Sequence, residues 1–82
     1  MPSDAQIESQ IEKLEEEREQ LHAREAGDDP TREQDADRLE EIRVHLDQLW
    51  DLLRQRRALR EAGQDPEQAS ERSREIVEHY WQ

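Results

Sequence analysis

The sequence predicts an all-α protein: an antiparallel, coiled-coil-like helical hairpin with a short C-terminal helical segment, assembling into a helix bundle. Three observations predict it. Leu39, Ile42, Leu46, Leu49 and Leu53 alternate at three and four residues, which puts them on one stripe of a helix. Ile7, Ile11, Leu14, Arg18 and Leu21 repeat in the same way at four, three, four and three. Between the two stripes lies Gly27-Asp28-Asp29-Pro30, a tight-turn signal. A loop that short makes the two helices antiparallel neighbours.

The first helix is expected over about residues 4–26. Ser3 or Asp4 can cap it, and Ala26-Gly27 can end it. Arg18 interrupts its apolar seam, and its long stem can lie along the seam while the head reaches water. Glu15, Glu16 and Glu17 fall mostly off the seam and read as a solvated face. The turn takes 27–30. The second helix is expected over about 31–62. Thr31 with Gln34 resembles a capping box, Pro30 suits a first helical position, and Gly63 is the stop.

Register follows from counting outward from residue 29. Leu21 should lie near Leu39, Leu14 near Val44 to Leu46, and Ile7 near Trp50 to Leu53. Asp4 and Glu8 then come near Arg54 and Arg57. Trp50 flanks the main stripe and is expected to be buried beside Ile7 and Ile11. Arg56 and Arg60 continue the rows of the stripe, so the seam turns basic toward its C-terminal end.

The second helix is the longer of the two and overhangs the first. It carries a second stripe, His45, Leu52 and Leu59, seven residues apart. Something should cover it. Asp65-Pro66 is a cap followed by proline in the first turn. Ala69, Ile76, Val77 and Tyr80 fall at helical spacing, and Trp81 extends the patch. A short third helix within residues 66–81 could fold back onto Leu52 and Leu59, or dock on another subunit. The whole chain, 1–82, reads as a single helical domain.

Composition bounds the function. The chain has 82 residues, 43% of them charged, a net charge of −11, no Phe and no Cys. A thiolate metal site and a disulfide framework are excluded. No apolar run is long enough to span a bilayer, and no charged-then-apolar leader is read at the start, so a cytoplasmic protein is expected. The charge is uneven: residues 3–29 hold ten acids and three bases, residues 31–62 eight acids and seven bases. A negative field argues against binding to nucleic acid or an anionic membrane.

Candidate chemistry is sparse. Glu19 and His22 match one Glu-x-x-His pair of a di-iron bundle, which needs two such pairs and two further glutamates. Glu41 with His45, and Glu75 with His79, are ordinary i,i+4 surface pairs. No phosphate loop or nucleophile-and-base grouping is present. No enzyme activity and no cofactor are expected. Arg54, Arg56, Arg57 and Arg60 form the one basic cluster. It can serve as an anion or RNA contact, or pair with Asp4, Glu8, Asp51 and Glu61.

The segment LDQLWDLLRQRRALREAGQDPEQA and the ending IVEHYWQ resemble domain-of-unknown-function family 2630, a family of short, acidic, uncharacterised actinobacterial proteins. The matching motifs are Leu46 to Arg57, the Gly63 to Pro66 turn, and Val77 to Gln82. Where the family has an Arg-Pro pair, this chain reads Glu71-Arg72-Ser73-Arg74. The resemblance implies a bacterial cytoplasmic protein and brings no activity with it.

The expected function is therefore non-enzymatic: a helical module for self-association or protein–protein interaction, with a homodimer expected. The candidate contact residues are Trp50, Leu52, Leu59, Arg54, Arg56, Arg57, Arg60, Ile76, Val77, Tyr80 and Trp81. The alternative is a small acidic regulator that docks on a basic or nucleoprotein partner through the first helix or the Arg54 to Arg60 cluster.

Overall fold

A computed structural model describes residues 3–25 and 32–71. Helix α1 runs Asp4–Glu25 and helix α2 runs Arg32–Glu61. A 3-10 turn follows at Pro66–Gln68. The two helices pack against each other as a hairpin. The expected turn at Gly27 to Pro30 and the Thr31 cap lie outside the described residues.

Local chemistry sets the ends of the helices. Ser3 Oγ accepts from the Gln6 N–H at 3.2 Å, and Gln6 Oε1 accepts from the Ser3 N–H at 2.8 Å. This reciprocal pair is a capping box, with Ser3 rather than Asp4 as the cap. Asp4 is left in the first turn, where a negative charge complements the helix dipole. At the other end of α2, Gly63 has φ +73. Its N–H donates to Arg60 O at 3.0 Å, and the Gln64 N–H donates to Leu59 O at 2.7 Å. Those two bonds are the Schellman pattern, which satisfies carbonyls the helix end would leave unpaired.

The core lies along the hairpin seam. Ile7, Ile11 and Leu21 of α1 are buried against Ile42, Leu46 and Leu49 of α2, with Leu14, Leu39 and Leu53 half-buried beside them. Arg18, at the charged position of the seam, is exposed. Charged pairs flank the core. Arg38 grips Glu17 through two hydrogen bonds, at 2.5 and 2.9 Å. Arg24 donates to Asp35 at 2.7 Å. Partners at 17 and 38, and at 24 and 35, give an antiparallel register close to the one counted from the turn.

Leu52 and Leu59 of the second stripe are covered within the chain, while His45 is exposed. Leu52 is 6% exposed, in the same cluster as Ala69, and Leu59 packs against that cluster. The segment after Gly63 makes this possible. Asp65 Oδ1 accepts from the Glu67 N–H at 2.9 Å, and Pro66 opens the turn. The Gln55 side-chain amide donates to Ser70 O at 2.7 Å, which ties the returning strand of chain to α2. The described part of the expected third helix is thus one 3-10 turn, followed by non-helical residues 69–71. No helix of the described residues is long and apolar enough to cross a membrane.

Candidate functional site

The N-terminus of α1 meets the C-terminal third of α2. Antiparallel packing brings the positive end of one helix dipole beside the negative end of the other. The side chains there have matching signs. Asp4 accepts from Arg56 Nε at 2.5 Å and from Arg60 Nη2 at 2.6 Å. These are the two arginines that continue the seam. The paired guanidinium groups hold the Asp4 carboxyl below the usual carboxylate range, with Arg60 the larger cause and Arg56 next. The same bond raises the Arg56 pKa.

Arg56 has a structural task. Its side chain is 8% exposed. Besides Asp4 it donates through Nη1 to Pro66 O at 3.2 Å, with Glu67 at 3.5 Å. One guanidinium group therefore joins α1, α2 and the 3-10 turn. Arg54 donates to the buried carboxylate of Asp51 at 2.7 Å. Arg57 is exposed and forms no ion pair with any described residue. The cluster of four arginines thus divides: three are engaged within the chain, and Arg57 has no ion-pair partner among the described residues. Of the acids expected to pair with it, Asp4 and Asp51 do so, while Glu8 and Glu61 pair with none of the four.

These residues border a cleft of about 320 Å³. Asp4 and Glu8 form its α1 wall. Trp50, Leu53, Arg54, Arg57 and Arg60 form its α2 wall. Trp50 corrects the expectation of a buried indole: it is 47% exposed, the one large exposed hydrophobic among the described residues. The reason is angular. Leu46, Leu49 and Leu53 take the positions that face α1, and Trp50 is turned about 100° from Leu49, onto the rim of the cleft. The residue that is buried instead is its neighbour Asp51, 1% exposed. Its carboxylate accepts from Arg54 Nη2 and from Gln55 Nε2 at 2.9 Å.

A second, shallower groove lies on α1 itself, among Glu12, Glu15, Glu16, Arg18, Glu19 and His22. Glu19 and His22 are exposed there, and among the described residues no group of three His, Asp or Glu side chains is placed to hold a metal ion. His45 lies 3.6 Å from Glu71, on the returning segment, while Glu41 pairs with Arg38 at 3.2 Å. Ile76, Val77, Tyr80 and Trp81 lie outside the described residues. The sequence reading missed Glu67 and Pro66 as partners of Arg56, and the pairs Glu17–Arg38 and Arg24–Asp35. The last two were open to the same counting from the turn, applied to oppositely charged positions.

The family described as "Protein of unknown function (DUF2630)" matches residues 3–82. Among similar proteins are "Uncharacterized protein Mb0922c" of Mycobacterium bovis and "Uncharacterized protein Rv0898c" of Mycobacterium tuberculosis. Each is 39% identical over 79 residues, which covers 96% of this chain and 91% of the relative. No solved structure matches the chain.

Proposed function

The chain belongs to the family of proteins of unknown function DUF2630, and since that membership carries no activity, we propose from the cleft itself that the protein is a non-enzymatic helical module that binds protein through Trp50 and Arg57. One observation carries the reading. A half-exposed tryptophan sits on the rim of a cleft beside an arginine with no intrachain partner among the described residues. Tryptophan and arginine are the side chains that most often dominate protein interfaces. The groups lining the cleft suit binding more than turnover. Among the described residues they are two carboxylates, three guanidinium groups, an indole and a leucine, with no hydroxyl, thiol or imidazole. Asp4 is held ionised by two arginines, which disfavours it as a proton donor near neutral pH. The reading takes the cytoplasm as its setting, because a chain this short without cysteine lacks the usual staple of small secreted domains.

The test is photo-cross-linking in the producing cell, with a benzophenone amino acid in place of Glu61, which is exposed one turn on from Arg57 and leaves that arginine intact. Protein adducts are expected, and Trp50→Ala should reduce them. A chain that forms no protein adduct at position 61 would show that this surface binds nothing.

A further inference from the structure

Arg57, which has no ion-pair partner among the described residues, has its charge complement elsewhere on the same chain. Asp4, Glu8, Glu12, Glu15 and Glu19 repeat at four, four, three and four residues, one stripe along α1. The stripe starts inside the cleft, at Asp4 and Glu8, and continues into the acidic groove at Glu12 and Glu15. Glu8 and Glu12 are exposed and form no ion pair with a described residue. On α2, Trp50, Arg54 and Arg57 form a stripe of their own at four and three, and the cleft holds them beside the start of the acidic one.

Resting on the interaction reading above, we infer that the partner is a second copy of this chain, bound so that the carboxylate stripe of each α1 lies over Trp50 and Arg57 of the other copy. The surface carries both halves of the contact, which is the condition for an isologous two-fold dimer. A two-fold axis parallel to the hairpin sets each α1 beside the other copy's α2. The result is a four-helix bundle with antiparallel neighbours. Each Arg57 gains carboxylate partners that no described residue of its own chain supplies, and each Trp50 loses contact with water. The net charge of −11 per chain opposes association over long range. At about 0.15 M salt the screening length is about 8 Å, which weakens that repulsion more than it weakens pairs in contact.

A charge exchange tests this contact with the full chain. Sedimentation of the parent should give a dimer, about twice 9.9 kDa. Arg57→Glu should weaken the dimer at least tenfold, and so should the double variant Glu8→Lys with Glu12→Lys. Each of these variants sets like charges against each other at both contacts of its homodimer. Mixed together, the two should form a heterodimer as tight as the parent, because both contacts then pair opposite charges. Circular dichroism checks that each variant keeps its helix. If one does not, fluorescence of Trp50 in a Trp81→Phe chain decides, with a red shift expected on dilution. A parent that stays monomeric at every concentration overturns the inference, as do variants that dimerise like the parent, a mixture that stays monomeric, or an emission independent of concentration. A monomeric parent whose position 61 still cross-links to a heavier protein in cells would remove the second copy and leave the interaction reading standing.

Discussion

Asp4 and Arg56 stand 52 positions apart in the sequence and 2.5 Å apart in the fold. The bond closes the open end of the hairpin, opposite the turn. It is the point where register becomes chemistry: slide α2 by one turn along α1 and Arg56 loses Asp4. Exposed ion pairs contribute little, but this arginine is nearly buried, and its other hydrogen bond is to backbone. Asp4→Ala should therefore cost about 1–2 kcal/mol in urea unfolding. Arg56→Ala should cost more than Arg60→Ala, since the Arg60 side chain is 44% exposed and can turn to water. The reverse order would mean that Arg56 is not the group joining the three elements.

Acid should loosen the hairpin by the same route. Asp4 and Glu17 both have pKa values lowered from their ordinary 3.8 and 4.5, each chiefly by hydrogen bonds from arginine. A carboxyl whose folded pKa is lowered stabilises the fold above its ordinary value and loses that contribution as pH falls through the folded value. The melting temperature should thus drop from about pH 4.5 downward. Protonating the exposed carboxylates relieves the repulsion of a −11 chain and works the other way. Asp4→Asn with Glu17→Gln separates the two effects. That variant should start lower and show a shallower acid limb, and a limb as steep as the parent's would assign acid unfolding to other groups.

Gly63 ends α2 in the left-handed region, and a Cβ added there would meet nothing within 4 Å. The cost of Gly63→Ala is then purely conformational, about 1 kcal/mol. Gly63→Asn should cost less, because asparagine tolerates that region. Thermal unfolding of both variants against the parent measures it; equal stability of all three would mean that the Schellman end is not retained.

The hairpin was legible because its two stripes have one helical period and few alternatives. Ile7, Ile11, Leu21, Ile42, Leu46 and Leu49 are buried as their spacing requires. The choice between Ser3 and Asp4 as cap was legible in the pattern but not drawn from it. Ser3 has Gln6 three residues on, the spacing of a capping box, while Asp4 has Ile7, and the Gln6 side chain returning to the Ser3 N–H shows the box formed. The candidate site was half legible. Charge and register brought the arginines to the start of α1, but spacing could not say which of them would be consumed. Arg56 became structural because the turn at Pro66–Gln68 presents a carbonyl and a carboxylate to it. That is a tertiary contact with no periodic signal.

The sharpest departure is at neighbouring positions, Trp50 and Asp51. A hydrophobicity scale places the indole inside and the carboxylate outside; the fold does the opposite. Asp51 is tolerated because its own helix supplies donors one turn on, Arg54 and Gln55. Gln55 in turn is fixed by Ser70 O, so the buried carboxylate helps position the returning segment over Leu52. Removing an acceptor of this kind leaves buried donors unsatisfied, and Asp51→Ala should cost about 2–3 kcal/mol. Asp51→Asn, which keeps one acceptor oxygen, should cost less. Trp50→Ala removes a side chain that is already half in water and should cost only about 1 kcal/mol in a monomer. Its damage should appear instead as lost binding at the cleft. Urea titrations run well below any association concentration compare the two changes directly. If Trp50→Ala proves the more destabilising there, the indole belongs to the core of the single chain, and the interface at Arg57 loses its apolar anchor.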